Sequence, residues 1–412
     1  MTKASTTQRG TSLSPIIDIE DLGFDAGAHL LVKLAIARIG VGESLRVVGT
    51  GRAWEGPLAA WCRSQGHEVG FAEAEGRLEA RLTRGATQAG RWRGAAATGA
   101  IDPQGDAAVL PLADARWGLA ARGATVEAGA PAFGFRLNRK EEVWADSAAA
   151  IYAEALAAQW HVDEAIDWSA PFELPNEVED AVVQVMTYMI ENENAALIVP
   201  ARFLGQLHPH YREVQAVLAI QVADEARHID AMTRRIALRG RAPALSTAGG
   251  QASLKTLLDE PEFSVVQFLL AVLGEGTFVS LLNFLHHHAP DPVTRQLARL
   301  VARDEARHVA FGMAHLGQRL AAEPALLSRL ANAVEARHEH LSGTSGLNEE
   351  VFDALILLAA GGTRPADIAQ GYGRVQELVQ DMGRGREARL AKLGFTGESA
   401  RRLASLHTRN FM

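Results

Sequence analysis

The pentapeptide Asp-Glu-Ala-Arg-His occurs twice in this chain, in VADEARHIDAM (222–232) and in VARDEARHVAFGM (301–313), and the second copy lies 80 positions after the first. Residues three apart on an α-helix share a face, so each copy places a Glu and a His side by side. Apolar residues follow the same face in both copies, which predicts that both pairs look into a protein core. A buried carboxylate is costly unless it is paired or bound to a cation. The repeat therefore predicts a buried cation site shared by two helices.

A third Glu-x-x-His lies in VEARHEH (334–340) and differs from the first two in its surroundings. Glu335 lies on a polar stripe of its predicted helix, opposite Leu330 and Val334, and no Asp precedes it. An exposed Glu and His on one face gain little from binding a metal. We interpret Glu335 and His338 as surface charge.

Two further carboxylates are needed, because helix bundles that hold two metals take one Glu from each of two additional helices. The apolar segment 263–285 carries Glu275 at its middle, one helix-turn-helix return before the second repeat. Before the first repeat, Glu193 lies at the matching distance and shares a stripe with Met189. Glu191, on the other side of that helix, is the alternative ligand.

The predicted site combines these carboxylates with the repeated pairs. Its ligands are Glu193, Glu225, His228, Glu275, Glu305 and His308. Four carboxylates and two imidazoles suit two iron ions, or an iron–manganese or dimanganese pair. Asp224 and Asp304 are expected to hold the ring N–H of the opposite pair's histidine, and Arg227 and Arg307 to neutralise these aspartates.

These residues resemble the ferritin-like di-iron carboxylate superfamily over residues 141–322. The 3.6-residue period of apolar positions predicts long helices near 176–200, 210–239, 261–288 and 291–320, and the resemblance implies that they form a four-helix bundle. It also implies a non-haem di-iron enzyme, a monooxygenase or oxidase that activates dioxygen to hydroxylate, N-oxidise or desaturate an organic substrate. The stored-radical tyrosine of ribonucleotide reductase small subunits corresponds to Met232, and the extra histidine of arylamine oxygenases corresponds to Val301, so neither subgroup is favoured.

Two other functions remain open at this point. One is a ferroxidase or peroxide scavenger, and the other is a binding protein with a structural metal. Gly274 and Gly276 flank Glu275, and they indicate either space beside the metals or close helix packing. His315, two turns past His308, is a candidate for the site entrance.

The N-terminal residues 14–85 follow a β-α-β-α-β-β pattern. With VGESLRVVGTG (41–51) and AAWCRSQGHEV (59–69), this order resembles the TusA-type sulfur-carrier proteins. The resemblance implies that the carrier Cys-Pro would lie at Gly27 and Ala28, so the carrier thiol is absent. We interpret Cys62 as a core residue and this domain as a recognition or docking module.

The remaining chain completes an α+β, two-domain organisation. A Gly- and Ala-rich connector is predicted at 86–140 and a helical extension at 323–412. The net charge of −8 disfavours nucleic acid as a partner, and Glu275 disfavours a membrane span at 263–285. The polar start and the single cysteine predict a cytoplasmic protein. Expected partners are a small-molecule or carrier-bound substrate, an external electron donor and, in a homodimer, a second copy.

Overall fold

The computed structural model describes residues 14–74, 76–87, 92–100, 108–342 and 349–406. The chain divides into two compact units, one of Met1–Ala97 with Ala124–Ala130, and one of Thr98–Gly123 with Pro131–Met412. The first contains a small sheet and the second is helical. Residues of the predicted connector are therefore divided between the two units.

The first unit carries the predicted order of strands and helices. Its elements are β1 (Ile16–Asp18), α1 (Ala28–Ile36), β2 (Ser44–Val48), α2 (Glu55–Gln65), β3 (Glu68–Ala74), β4 (Arg77–Thr83), β5 (Ala96–Ala97) and β6 (Thr125–Val126). The main sheet has the order β1-β2-β4-β3, in which β1 and β2 are parallel and the other pairs antiparallel. Buried side chains alternate with more exposed ones along β2 and β4. The buried ones pack against the buried residues of α1 and α2. β5 and β6 form a separate antiparallel pair.

The single cysteine lies in the core of this unit. Cys62 is fully buried on α2, on the same face as Leu58. Burial raises the pKa of the Cys62 thiol to about 11. A thiol that is both inaccessible and protonated is a poor nucleophile.

We expect the Cys62 thiol of the folded protein to react at pH 8 with a water-soluble thiol reagent at least about 100-fold more slowly than in the denatured chain. The rates are measured with and without guanidinium. Comparable rates in the two states, or a persulfide on Cys62 found by mass spectrometry, would contradict the interpretation as a core residue.

The second unit consists of helices joined mainly by short connections. They are α3 (Lys140–Val143), α4 (Ala148–Ala157), α5 (Val162–Ala165), α6 (Asn176–Leu204), α7 (Arg212–Ala237), α8 (Ala248–Asp259), α9 (Phe263–His288), α10 (Pro292–Ala322), α11 (Leu326–Ser342), α12 (Glu349–Ala360), α13 (Pro365–Lys392) and α14 (Gly397–Ser405). The four predicted long helices agree with α6, α7, α9 and α10 to within four residues at each end.

Helices α6, α7, α9 and α10 form a four-helix bundle. Each of the sequential pairs α6/α7 and α9/α10 packs along its length, and α7 also contacts α10. The short connections make the members of each pair antiparallel. The C-terminal helices extend the core, because α12 packs on α6 and α13 packs on α12 and on the second half of α9.

Helix α9 is long and apolar enough to cross a membrane, and it is the one such helix in the described part of the chain. Its most apolar window is 89% buried inside the protein, as expected of a core helix. Residues Gln267–Glu275 form a π-helical stretch within it. Sequence periodicity predicted a regular α-helix here. Such stretches are frequent at functional sites, and this one ends on Glu275.

A buried ionic network ties three helices together at one end of the bundle. Arg235 of α7 is fully buried and donates to both carboxylate oxygens of Glu179 on α6, at 2.6 and 3.0 Å. It also donates to Asp291 Oδ2 at 2.9 Å and to Thr294 Oγ1 at 2.9 Å. Asp291 caps the N-terminus of α10 by accepting from the backbone N–H of Thr294. Because each charge has its partner, the network fixes where these helix ends meet.

The third Glu-x-x-His lies on α11 and is partly exposed. The Glu335 side chain is 41% exposed and forms an ion pair with Arg402, and His338 donates from Nδ1 to the carbonyl of Leu406. Leu330 on the opposite face is fully buried. The apolar face, rather than the charged one, therefore attaches this helix to its unit.

Leu330→Asp is expected to lower the free energy of unfolding by about 3 kcal/mol or more, since it places an unpaired charge in an apolar contact. Ser328→Asp, at an exposed position of the same helix, is the matched control and should change it by less than about 0.5 kcal/mol. Denaturant titration of the three proteins checks this. Equal effects of the two substitutions would show that this face of α11 is not a packing face.

Candidate metal centre

Four helices bring six acidic and imidazole side chains together in the bundle core. They are Glu193 of α6, Glu225 and His228 of α7, Glu275 of α9, and Glu305 and His308 of α10. All six are at most 4% exposed. These are the six residues singled out from the sequence.

The six side chains form two overlapping groups, each suited to hold one ion. One group contains Glu193, Glu225, His228 and Glu305, and the other contains Glu225, Glu275, Glu305 and His308. Within a group the donor atoms lie within 4.8 Å of one another. Glu225 and Glu305 belong to both groups, which is the position of bridging carboxylates. Glu191 is only half-buried and is in neither group, whereas Glu193 is 1% exposed.

The distances within the cluster are short. His228 Nδ1 lies 3.2 Å from an oxygen of Glu193 and 3.2 Å from an oxygen of Glu225. His308 Nδ1 lies 3.1 Å from Glu225 Oε1 and 3.4 Å from Glu305 Oε2. Five buried atoms of the cluster have no hydrogen-bond partner: Glu193 Oε1, Glu225 Oε1, Glu275 Oε2, Glu305 Oε2 and His308 Nδ1. Unsatisfied buried acceptors from every glutamate are what a cation-binding site requires.

The histidines are oriented by the two aspartates of the repeats. His228 Nε2 lies 3.1 Å from Asp304 Oδ2, and His308 Nε2 lies 3.4 Å from Asp224 Oδ2. Each histidine therefore contacts the aspartate of the opposite repeat, in the geometry expected from the sequence. With the proton on Nε2, the lone pair of Nδ1 faces the cluster in both rings.

Two arginines neutralise these aspartates. Arg227 donates to Asp224 Oδ1 at 2.5 Å and to Asp304 Oδ2 at 2.8 Å. Arg307 forms an ion pair with Asp304 and lies 3.9 Å from Asp224. The two aspartates and two arginines balance in charge. Neither arginine forms an ion pair with the four glutamates at the centre of the cluster.

Three polar residues at the site were missed by the sequence reasoning. Gln159 donates to Asp224 at 2.8 Å, and Trp160 donates to Asp304 at 2.7 Å while its ring stacks on His228. Both follow the end of α4, where no periodic pattern marks them. Gln221 donates to Glu275 Oε1 at 3.0 Å. It lies one turn before Glu225, so a search for polar residues on that helix face would have found it.

The protonation of the cluster reflects burial. Burial and the neighbouring carboxylate of Glu225 raise the pKa of Glu193 well above its ordinary value, and burial and Glu305 do the same for Glu275. Burial alone would lower the pKa of His228, but the adjacent Glu193 and other acceptors raise it. Without metal these groups therefore hold protons, which a bound divalent cation displaces.

A small cavity borders the cluster. Its lining residues are Asn192, Glu193, Ala196, Leu270, Glu275, Phe278 and Glu305, and its volume of about 10 Å³ has room for about one water-sized molecule. Gly276 does not widen this space, because a Cβ at that position would lie 2.5 Å from the guanidinium of Arg389. Close packing, the second of the two expectations for the flanking glycines, therefore holds at Gly276.

His315 does not join the cluster. Its Nε2 lies 3.0 Å from Ser264 Oγ, and its Nδ1 contacts the carbonyl of Trp144 at 3.1 Å. Burial lowers the pKa of His315 to about 4, so this fully buried side chain is neutral. It is a hydrogen-bonded core residue and not an entrance to the site.

Comparisons with known proteins give similarity to solved structures only. No protein-family model and no curated protein matches the chain. The similar structures include R2-like ligand-binding oxidases. A variant with an aerobically reconstituted Mn/Fe cofactor is 14% identical over 60% of this chain and 93% of its own, with a TM-score of 0.46. A variant with an aerobically reconstituted Fe/Fe cofactor is 14% identical over 60% and 92%, also with a TM-score of 0.46.

Replacing Glu193 by Ala is expected to lower metal affinity by at least about tenfold, because it removes one carboxylate from one ion group. Glu191→Ala, two residues away and outside both groups, is the matched control and should bind metal as the unaltered protein does. Metal titration with removal of loosely bound ions measures both. The reverse ranking would transfer the ligand role to Glu191.

Proposed function

We propose that this chain is a dimetal oxidoreductase that binds two divalent ions of iron or manganese and uses them to activate dioxygen for the oxidation of an organic substrate. The six proposed ligands are those of the cluster, with Glu225 and Glu305 as bridges. Hydroxylation, N-oxidation and desaturation are the reaction types that this chemistry serves.

The observation that carries the proposal is the charge balance of the buried cluster. Four glutamates with unpaired oxygens converge in the bundle core, while the adjacent aspartates are already neutralised by arginines. Once the protonated groups of the cluster release their protons, two divalent cations would supply the four positive charges that balance the four glutamates. Carboxylate and imidazole ligands without thiolate favour iron or manganese over zinc.

The protein's own residues have separable roles in this proposal. When bound, the metal pair supplies the electrons that reduce dioxygen. Asp224 and Asp304 hold the histidine rings so that Nδ1 faces the ions, and Gln221 holds one oxygen of Glu275. Ala196, Leu270 and Phe278 form the apolar side of the adjacent cavity, which would limit the entry of water. Electrons for repeated turnover come from an external donor.

The small cavity favours a second candidate function. Space for about one water-sized molecule suits dioxygen or hydrogen peroxide without an organic substrate. The alternative is therefore a protein that oxidises ferrous iron or consumes peroxide. In either case we propose the N-terminal unit as a docking module for a partner and not as a sulfur carrier.

Purified protein loaded anaerobically with ferrous iron is expected to hold about two ions per chain, and Glu305→Ala at least one fewer, because Glu305 belongs to both ion groups. Elemental analysis measures this. The control is the double variant Glu335→Ala with His338→Ala, which alters the third Glu-x-x-His and should keep the full metal content. Full metal content in Glu305→Ala would remove the ligand assignment.

Exposure to oxygen then separates the two functions. Multiple turnovers of an organic substrate in the presence of a reductant support the oxidase. Consumption of added ferrous iron or peroxide at many equivalents per chain, with no organic product, supports the alternative.

A further inference from the structure

Two arginines of α13, Arg386, which is buried, and Arg389, which is partly buried, lie in the described chain without a counter-charge. Arg386 is 5% exposed and lies on the buried stripe of Met382 and Leu390. Arg389 follows three residues later, which puts it on the same side of the helix. Within the described ranges of the chain, no oxygen accepts a hydrogen bond from Arg386, and no carboxylate lies within 4.0 Å of either guanidinium. Arg386 Nε and Arg389 Nη2 are buried and unpaired.

Glycines fix the position of Arg389. Its Nε donates to the carbonyl of Val272 in the π-helical stretch at 2.8 Å, and its guanidinium occupies the space that a Cβ at Gly276 would fill. A Cβ at Gly385 would also lie 3.2 Å from Arg389 Nη1. The guanidinium is thus held in place by its surroundings, while one of its donors remains free. This is the preorganisation expected of a binding residue.

Two other arginines of the same unit are compensated by carboxylates. Arg235 binds Glu179 and Asp291, and Arg122 binds Glu213 at 2.6 Å. Arg386 and Arg389 have no such carboxylate, and they repel each other. Burial lowers the pKa of Arg386 to about 9 and that of Arg389 to about 10, so both stay charged at neutral pH. An unpaired buried charge is unfavourable, which indicates that an anion belongs there.

We propose that Arg386 and Arg389 form a binding site for the oxyanion group of a small molecule, either a carboxylate or a phosphate. Guanidinium groups suit such groups because their N–H donors match the spacing of two oxygens. The site adjoins the segment of α9 that carries Glu275, since Arg389 contacts Val272 and Gly276 on either side of it. Anion binding itself does not depend on the metal function. The further assignment of this anion to the substrate that is oxidised rests on the proposed function.

The test is the thermal stability of the full chain in sodium phosphate, sodium propionate or sodium chloride at equal ionic strength. Phosphate also stabilises proteins without specific binding. The informative quantity is therefore the increase in Tm over chloride, compared between the unaltered protein and Arg386→Met. We expect a saturable increase in the unaltered protein and in the control Arg384→Met, whose exposed arginine pairs with Asp381. We expect at least a tenfold weaker anion response in Arg386→Met, and a Tm in chloride no lower than that of the unaltered protein.

The two anions distinguish the source of the oxyanion. A response to phosphate alone assigns a phosphorylated ligand, and a response to propionate assigns a carboxylate. Equal increases in the unaltered protein and Arg386→Met with both anions would overturn the proposal. If Arg386→Met does not fold, Arg386→Lys keeps the charge, loses the Nε donor and should weaken the response. Measurements on metal-free protein separate this result from the metal-centre proposal, because anion binding is expected with or without iron.

Discussion

Four carboxylates within one small volume of an apolar core are the constraint on which this structure depends. Mutual repulsion and burial both oppose the ionised cluster, as the raised pKa values of Glu193 and Glu275 indicate. The protein compensates the two aspartates that surround the cluster with its own charges, because Arg227 and Arg307 balance Asp224 and Asp304. No arginine of the described chain pairs with the four glutamates, which are compensated by protons instead. Such a group of acidic side chains in the core of the bundle is therefore interpreted as a cation site and not as a packing defect.

The bundle holds this arrangement by fixing its helices independently of the site. Arg235, Glu179 and Asp291 lock one end of the α6, α7 and α10 helices. The π-helical stretch then sets the rotation of Glu275, whose oxygen Gln221 orients from the neighbouring helix. The two helix pairs, α6/α7 and α9/α10, do not give their ligands equivalent surroundings. Trp160 stacks on His228, whereas His308 lacks an aromatic neighbour of this kind among the described residues. The two ion positions therefore differ in their surroundings.

Much of the fold was predictable because long helices with one apolar face carry a strong periodic signal. The ligand cluster was predictable for the same reason, since a carboxylate on an apolar stripe is a local anomaly. Gln159 and Trp160 were not, because they lie in a helix-to-helix connection and act only through tertiary contact. The π-helical stretch was also missed. It depends on backbone hydrogen bonding within a uniformly apolar segment, where the identity of the residues does not mark an insertion.

The acidic cluster and the pair Arg386 and Arg389 both adjoin helix α9. Glu275 belongs to the acidic cluster, and the neighbouring Gly276 contacts the Arg389 guanidinium. The two groups do not neutralise each other, because Arg389 donates to the Val272 carbonyl and not to a carboxylate. Glu275 Oε2 and Arg389 Nη2 both lack a hydrogen-bond partner in the described chain, so each can still serve an external ion of its own.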